Sequence, residues 1–478
     1  MTKLRVSLIS SFILAVGYVI AIFSSCSEKS LEGMIICTRV AAKLPITNFS
    51  AGDSERYIPQ AQIVAVDRDN PGGSIKVLTS AYYSAHSPEI SFDGKFLLFS
   101  AQLKQNDPWQ IYEMSLTDLK IRQVTTTNEN CTNAAYLPTG RIVFSKLAIN
   151  DPLKGGHSLY TCDPEGSDIR RITFNPNDWF ASNTLNDGRI LTISAQVYPE
   201  RKSPMFMILR PDGTKSDLLY KGCDGSLLTG SGRETIDGKI VFIESEKSNQ
   251  GGGSLISISY NRPQHSRVNL SAEIKGDFRA AFPEPSGKLL VSYRISESDR
   301  YALYEFDPVR KVPGKKIYAD KEYDVLEAIV IGKRQLPKRL PSEVDMSVKT
   351  GQLLCQDIHL LDPQATNIKD KLPGSSRVEL IGLNSSLGTI QVEEDGSFYL
   401  KVVADTPFRI QSVDNEGHVL QGPCGWIWLR PNERRGCVGC HEDHELSPDN
   451  RVPLAVKKSP VTIPVHLNNG VEKKVLAD

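Results

Sequence analysis

The residues of this chain best suited to chemistry are Cys437, Cys440 and His441, in the run Arg435-Gly436-Cys437-Val438-Gly439-Cys440-His441-Glu442. C-x-x-C-H is the attachment pattern of c-type haem: two thiols three positions apart bond the porphyrin's vinyl groups, and the adjacent imidazole meets the iron. The same residue types also suit a C-x-x-C redox pair, half of a zinc site, or a disulfide beside a bystander histidine. One covalent haem is the expectation, with zinc as an alternative. The last methionine is Met346, so no local thioether fills the opposite axial position or raises the potential. His466, His359 and His418 are the candidate second ligands, each also readable as an exposed loop residue; a vacant position would admit small molecules. Trp426 and Trp428 alternate on one strand before the motif and suit either covering a porphyrin or packing a core. Arg430, Arg434 and Arg435 suit either haem propionates or a solvated surface.

Covalent haem attachment follows export, and the amino terminus agrees with that. Lys3 and Arg5 precede a nearly continuous apolar run from Val6 to Phe23, which ends in Phe23-Ser24-Ser25-Cys26. Small residues before a cysteine at the end of an apolar core resemble a bacterial lipoprotein signal over residues 1–26, with Cys26 as the lipidated residue. Cleavage near Ser25 and an uncleaved anchor are the other readings. All three place the body outside the cytoplasm, in the periplasm, and the first anchors it to a membrane. Basic and acidic residues balance at 56 each, with no basic tract, so nucleic acid is not an expected partner. Cys37, Cys131, Cys162, Cys223, Cys355 and Cys424 complete the cysteines; an oxidising compartment permits disulfides among them, and their pairing stays open.

These residues must be held by a mostly repetitive scaffold. Gly94, Gly140, Gly188, Gly238 and Gly287 each stand before a Lys or Arg and an apolar strand, and they step by 46, 48, 50 and 49 residues. Thr79, Thr125 and Thr173 keep the same beat. A period near 48 with several short strands and a glycine turn per unit predicts β-propeller blades. Five marked blades leave strands at Met34 to Val40, Ala61 to Asp67, Ser74 to Thr79 and Val325 to Ile331, enough for a sixth blade built from both ends. The pattern resembles TolB-type periplasmic propellers. His86, His157 and His265 recur at no common blade position and read as surface or loop residues. No hydrolase or phosphate-loop motif is present.

A basic, proline-punctuated linker (333–344) follows the propeller (33–332). Residues 345–421 then predict a small antiparallel β-sandwich, and 422–478 a C-terminal haem segment of little regular pattern, giving an all-β chain. Leu353-Leu354-Cys355-Gln356-Asp357, Glu394-Asp395-Gly396-Ser397-Phe398-Tyr399, Ala404-Asp405-Thr406-Pro407, Trp426-Ile427-Trp428-Leu429-Arg430-Pro431 and the haem motif follow in that order. This set resembles the middle domain of hydrazine synthase alpha subunits. The resemblance implies a tyrosine ligand to iron a few residues past the motif, and zinc held by the motif histidine with a cysteine from elsewhere. Cys355 and His441 are the pair it points to; a buried core thiol is the other reading of Cys355. The last tyrosine here is Tyr399, and Glu445 stands four residues after His441. The synthase subunit is also longer and carries a second haem, so hydrazine synthesis is not expected. The function expected is electron transfer or haem redox chemistry with other periplasmic redox proteins or a multi-subunit complex. The alternative is a propeller binding scaffold with a structural haem or zinc site.

Overall fold

The computed structural model describes residues 31–41, 57–70, 73, 75–148, 156–223, 225–246, 252–359, 377–439 and 450–463. Cys26, Cys440, His441, His444 and His466 lie outside the described residues.

The repeat folds as a β-propeller. Five antiparallel sheets follow one another at 84–123, 131–171, 177–220, 226–269 and 277–318. A sixth joins Ile35–Val40, Ala61–Val66 and Lys76–Val77 to Asp324–Val330, so both ends of the region share one sheet, as the leftover strands predicted. An apolar cluster fills each gap between neighbours. Ile36 and Ile63 meet Leu97 and Phe99 across one gap, while Val64 and Val66 meet Leu290 and Leu303 across the gap that closes the ring. Closure removes the exposed sheet edges that would recruit other chains.

The sequence beat has a physical basis. All five turn glycines adopt positive φ, between 75° and 90°, which a side chain reaches only at a cost. Thr79, Thr125 and Thr173 are buried, and each hydroxyl accepts a strand N–H at 2.9 Å, from Ile63, Ile111 and Leu159. Each therefore satisfies a buried donor that the short outer strand leaves unpaired. The linker is not a free tether. Arg334 reaches Glu89, the Lys338 amide donates to the Asn186 carbonyl, and Gly188 lies against the Lys338 carbonyl, leaving no room for a Cβ.

Beyond the linker two four-stranded sheets form the sandwich. One runs Ser386–Gln391, Arg377–Ile381, Arg409–Val413, Val419–Gln421. The other runs Arg434–Gly439, Thr350–Asp357, Phe398–Val403, Val461–Ile463. Both of this sheet's outer strands come from the stretch expected to have little regular pattern, and both pair in parallel. Parallel pairing between distant segments leaves no hairpin turn to read, which is why the local pattern did not show them.

Candidate functional site

Cys437 sits on the edge strand Arg434–Gly439, in register with Cys355 on Thr350–Asp357. Side chains paired in register share a face, and both cysteines belong to the sandwich core with Leu353, Phe398 and Leu400. Cys355 is fully buried and Cys437 half-buried, its strand being the outermost of the sheet among the described residues. Cys424 packs against the same core; its sulfur accepts from the Ile410 amide at 3.2 Å, and burial pushes its thiol pKa up. Three cysteines that sequence reading scattered therefore share one core.

The residues after Cys437 are tied at both ends to one place. Gly439 pairs with Asp357, and Arg451, just past the ten undescribed residues, contacts the same Asp357 carboxylate at 3.1 Å. Arg451 also donates to the Gln356 and Asp395 carbonyls at 3.1 and 3.0 Å. His359 caps this end of the sheet, its Nδ1 2.9 Å from Asp357. Gly396, at φ +78°, presses on Asp357 and His359 so closely that a Cβ would come 2.2 Å from the carboxylate. Cys437 is part-exposed on an edge strand whose backbone the sheet fixes, a placement that suits a thioether bond. Of the candidate second ligands, His359 stands at this corner. His418 is on the other sheet's hairpin, exposed and beside Asp414 and Glu416. Those three side chains bring ligand atoms within 4.8 Å of one another.

The tryptophans and arginines before the motif face the propeller. Trp428 is buried edge-on against Trp179 at 5.7 Å, and the Trp426 indole donates to the Tyr198 carbonyl at 2.8 Å. Arg430 stacks over Phe174 at 4.6 Å, donates to the Asp212 carbonyl and pairs with Asp405 at 2.8 Å. Arg435 pairs with Glu433 at 2.7 Å, while Arg434 is exposed. Glu433, fully buried, also accepts from the Lys215 and Arg430 amides, each at 2.8 Å. Alternation placed these aromatics on a strand but could not say which surface they meet; it is the one formed by the propeller's second and third sheets. Asp405 is pushed up to about 6 by burial, with Arg430 opposing.

Residues 354–442 match the family described as the hydrazine synthase alpha subunit middle domain. The chain carries that domain. Over 80% of its length it is 24% identical to hydrazine synthase subunit alpha of Kuenenia stuttgartiensis, spanning 63% of that relative. A solved Kuenenia stuttgartiensis hydrazine synthase chain superposes with TM-score 0.75 at 21% identity, over 89% of this chain and 71% of that one. The propeller and the middle domain thus share a fold with that chain. TolB from Acinetobacter baumannii aligns at TM-score 0.43 and 17% identity, over 62% of this chain and 66% of that one, too low to argue from.

Sequence reading missed two features inside the propeller. His86 and His157, taken for surface or loop residues, are buried in strands. A pocket within the ring is lined by Ser87, Asn133, Ala181, Gly230, Arg279 and Glu327, which recur at steps of 46, 48, 49, 49 and 48 residues. The same beat that set the turns could have located this lining. At one side of it Glu89 meets Arg233 at 2.9 Å and Arg334 at 2.6 Å. Burial pushes the Glu89 carboxyl up, but the two guanidinium groups outweigh it and hold its pKa below the usual range.

Proposed function

We propose that this chain is an exported, lipid-anchored c-type haem protein, in which a six-bladed propeller docks partners and one haem is joined to Cys437 and Cys440. His441 would be the proximal ligand, and Cys26 the lipidated residue. The work proposed is electron transfer or haem redox chemistry within a multi-subunit periplasmic assembly; the relative's description as a subunit supports the assembly. Bound haem supplies one-electron exchange at iron, with a potential set by its axial ligands and burial. The observation that carries this reading is the half-exposed Cys437 on a sheet edge, with the following residues tethered at the Asp357 corner. His359 at that corner is the second ligand we favour over His418. Hydrazine synthesis is not part of the proposal. Glu445 stands four residues after His441, where the resemblance implies a tyrosine ligand. The test is mass spectrometry of the peptide spanning Cys437 to His441 after expression with haem-attachment machinery. The expected result is one covalent tetrapyrrole, lost in Cys437→Ser with Cys440→Ser. An unmodified peptide overturns the proposal.

A scaffold reading is favoured by one observation, the propeller pocket with Arg279 and Glu327 in its wall. It stands if no haem is found.

A further inference from the structure

Tyr57, His157 and Asp178 form a hydrogen-bonded chain on the propeller, remote in sequence from the haem motif. Asp178 Oδ1 accepts from the His157 amide at 2.7 Å and lies 3.0 Å from His157 Nδ1. A carboxylate can only accept, so Nδ1 carries a ring proton, and in the neutral ring Nε2 presents a lone pair. Tyr57 Oη lies 2.5 Å from Nε2 and donates to it when the ring is neutral. Asp178 and His157 are about 95% buried, whereas Tyr57 is 36% exposed and can be reached from solvent. The site is built for this approach. A Cβ on Gly156 would stand 2.4 Å from Asp178 Oδ1, so only glycine before His157 lets the carboxylate come this close. Trp109, buried, lies 6.1 Å from the Tyr57 ring, and His86 lies 4.8 Å from Trp109.

We infer that Tyr57 is a redox-active tyrosine, giving one electron to an outer-sphere metal-complex oxidant while its phenolic proton passes to His157 Nε2. The O–H bond breaks and an N–H bond forms. The products are a neutral tyrosyl radical, an imidazolium facing Asp178, and the oxidant reduced by one electron. Without a proton acceptor the same oxidation would leave a cationic phenol. Here the positive charge moves to a ring whose other nitrogen already faces a carboxylate, so the buried pair ends neutral. Trp109 is placed as the next site for the electron hole. A purely structural role explains the hydrogen bonds equally well, but it predicts no proton movement on oxidation.

The test is flash photolysis of the full-length protein with photogenerated tris(bipyridine)ruthenium(III), following the tyrosyl radical by absorbance and electron paramagnetic resonance. The chain holds 16 tyrosines, so the signal sought is a fast component missing from Tyr57→Phe. His157→Gln should slow that component on the order of a hundredfold, the scale of a lost positioned base. Wild-type protein should react more slowly in D2O. Loss in Tyr57→Phe together with a deuterium effect supports the inference. An unchanged fast component in Tyr57→Phe, or no deuterium effect in the unmutated protein, overturns it. The deuterium measurement stands even if a variant misfolds, and none of these readouts depends on haem.

Discussion

The propeller and the sandwich bury their polar groups in different ways. In the propeller the device repeats: in three units a threonine hydroxyl, and in a fourth the Ser271 hydroxyl, takes one strand amide, and five positive-φ glycines turn hairpins. Most partners are close in sequence. At the junction with the sandwich no unit repeats. Glu433 alone gathers donors from Lys215, Arg430 and Arg435, and Trp428 fills a cluster otherwise made of propeller residues. Two buried carboxylates show the consequence. Glu89, between two arginines inside the ring, is held as an anion, whereas Asp405, beside one arginine at the junction, is raised to about 6. Glu89 is hydrogen-bonded by two guanidinium groups, whereas Asp405 is hydrogen-bonded by one and has the Glu433 carboxylate nearby pushing its pKa up further, so burial prevails only at Asp405. A repeat spreads its stability over many equivalent bonds; a junction concentrates it in a few.

If that contrast holds, the largest single loss should come from Trp428→Ala, which empties a site between Trp179 and the sandwich. The expected cost is about 4 kcal/mol by urea denaturation, the scale of truncating a buried tryptophan. Glu433→Ala should follow at about 3 kcal/mol, because it strands Arg435 and two amides. A loss below about 1 kcal/mol in either would erase the distinction between junction and repeat.

Two propeller glycines sharpen the comparison. Gly238 has open space where a Cβ would sit, so Gly238→Ala should cost about 1 kcal/mol of backbone strain. Gly188→Ala should cost at least about 2 kcal/mol, because its Cβ would meet the Lys338 carbonyl at 2.0 Å and lift the linker. Limited proteolysis at the linker separates the two outcomes: only Gly188→Ala should expose it.

A further effect concerns pH. Folding raises the Asp405 pKa, so between about 4 and 6 the folded state binds more protons than the unfolded one. Its contribution to stability is therefore greatest below pH 4 and lost as pH rises through 6. The change should be on the order of 3 kcal/mol, one pKa unit being about 1.4 kcal/mol. Asp405→Asn, which keeps an acceptor for Arg430, should flatten this part of the profile, whereas Glu89→Gln should not. An identical slope in Asp405→Asn would assign the effect to other groups.

The propeller was largely legible because its signals are local. Glycine turns and short strands recur from unit to unit, threonine bridges recur in three of them, and the leftover strands at both ends pair as their number required. The sandwich strands at Arg377–Ile381 and Phe398–Val403 were legible for the same reason. The edge strands Arg434–Gly439 and Val461–Ile463 were not, since their partners are distant in the chain and no turn announces them. The tryptophans could be assigned to a strand, but their burial against Trp179 depends on where one domain rests on another. His157 was misread as a surface residue because nothing near it names Asp178 or Tyr57 as its neighbours.

By itself the sequence determined which thiols and imidazole stand together as C-x-x-C-H, and the beat of the ring, because both are set by spacing along the backbone. Only the tertiary structure decided that Cys355 lies beside Cys437, that His359 and Arg451 share the Asp357 corner, and that a tyrosine, a histidine and an aspartate line up on the propeller. Those juxtapositions come from pairing and packing between segments far apart in the chain, where closeness is chosen by the burial of whole surfaces and leaves no periodic mark on the residues themselves.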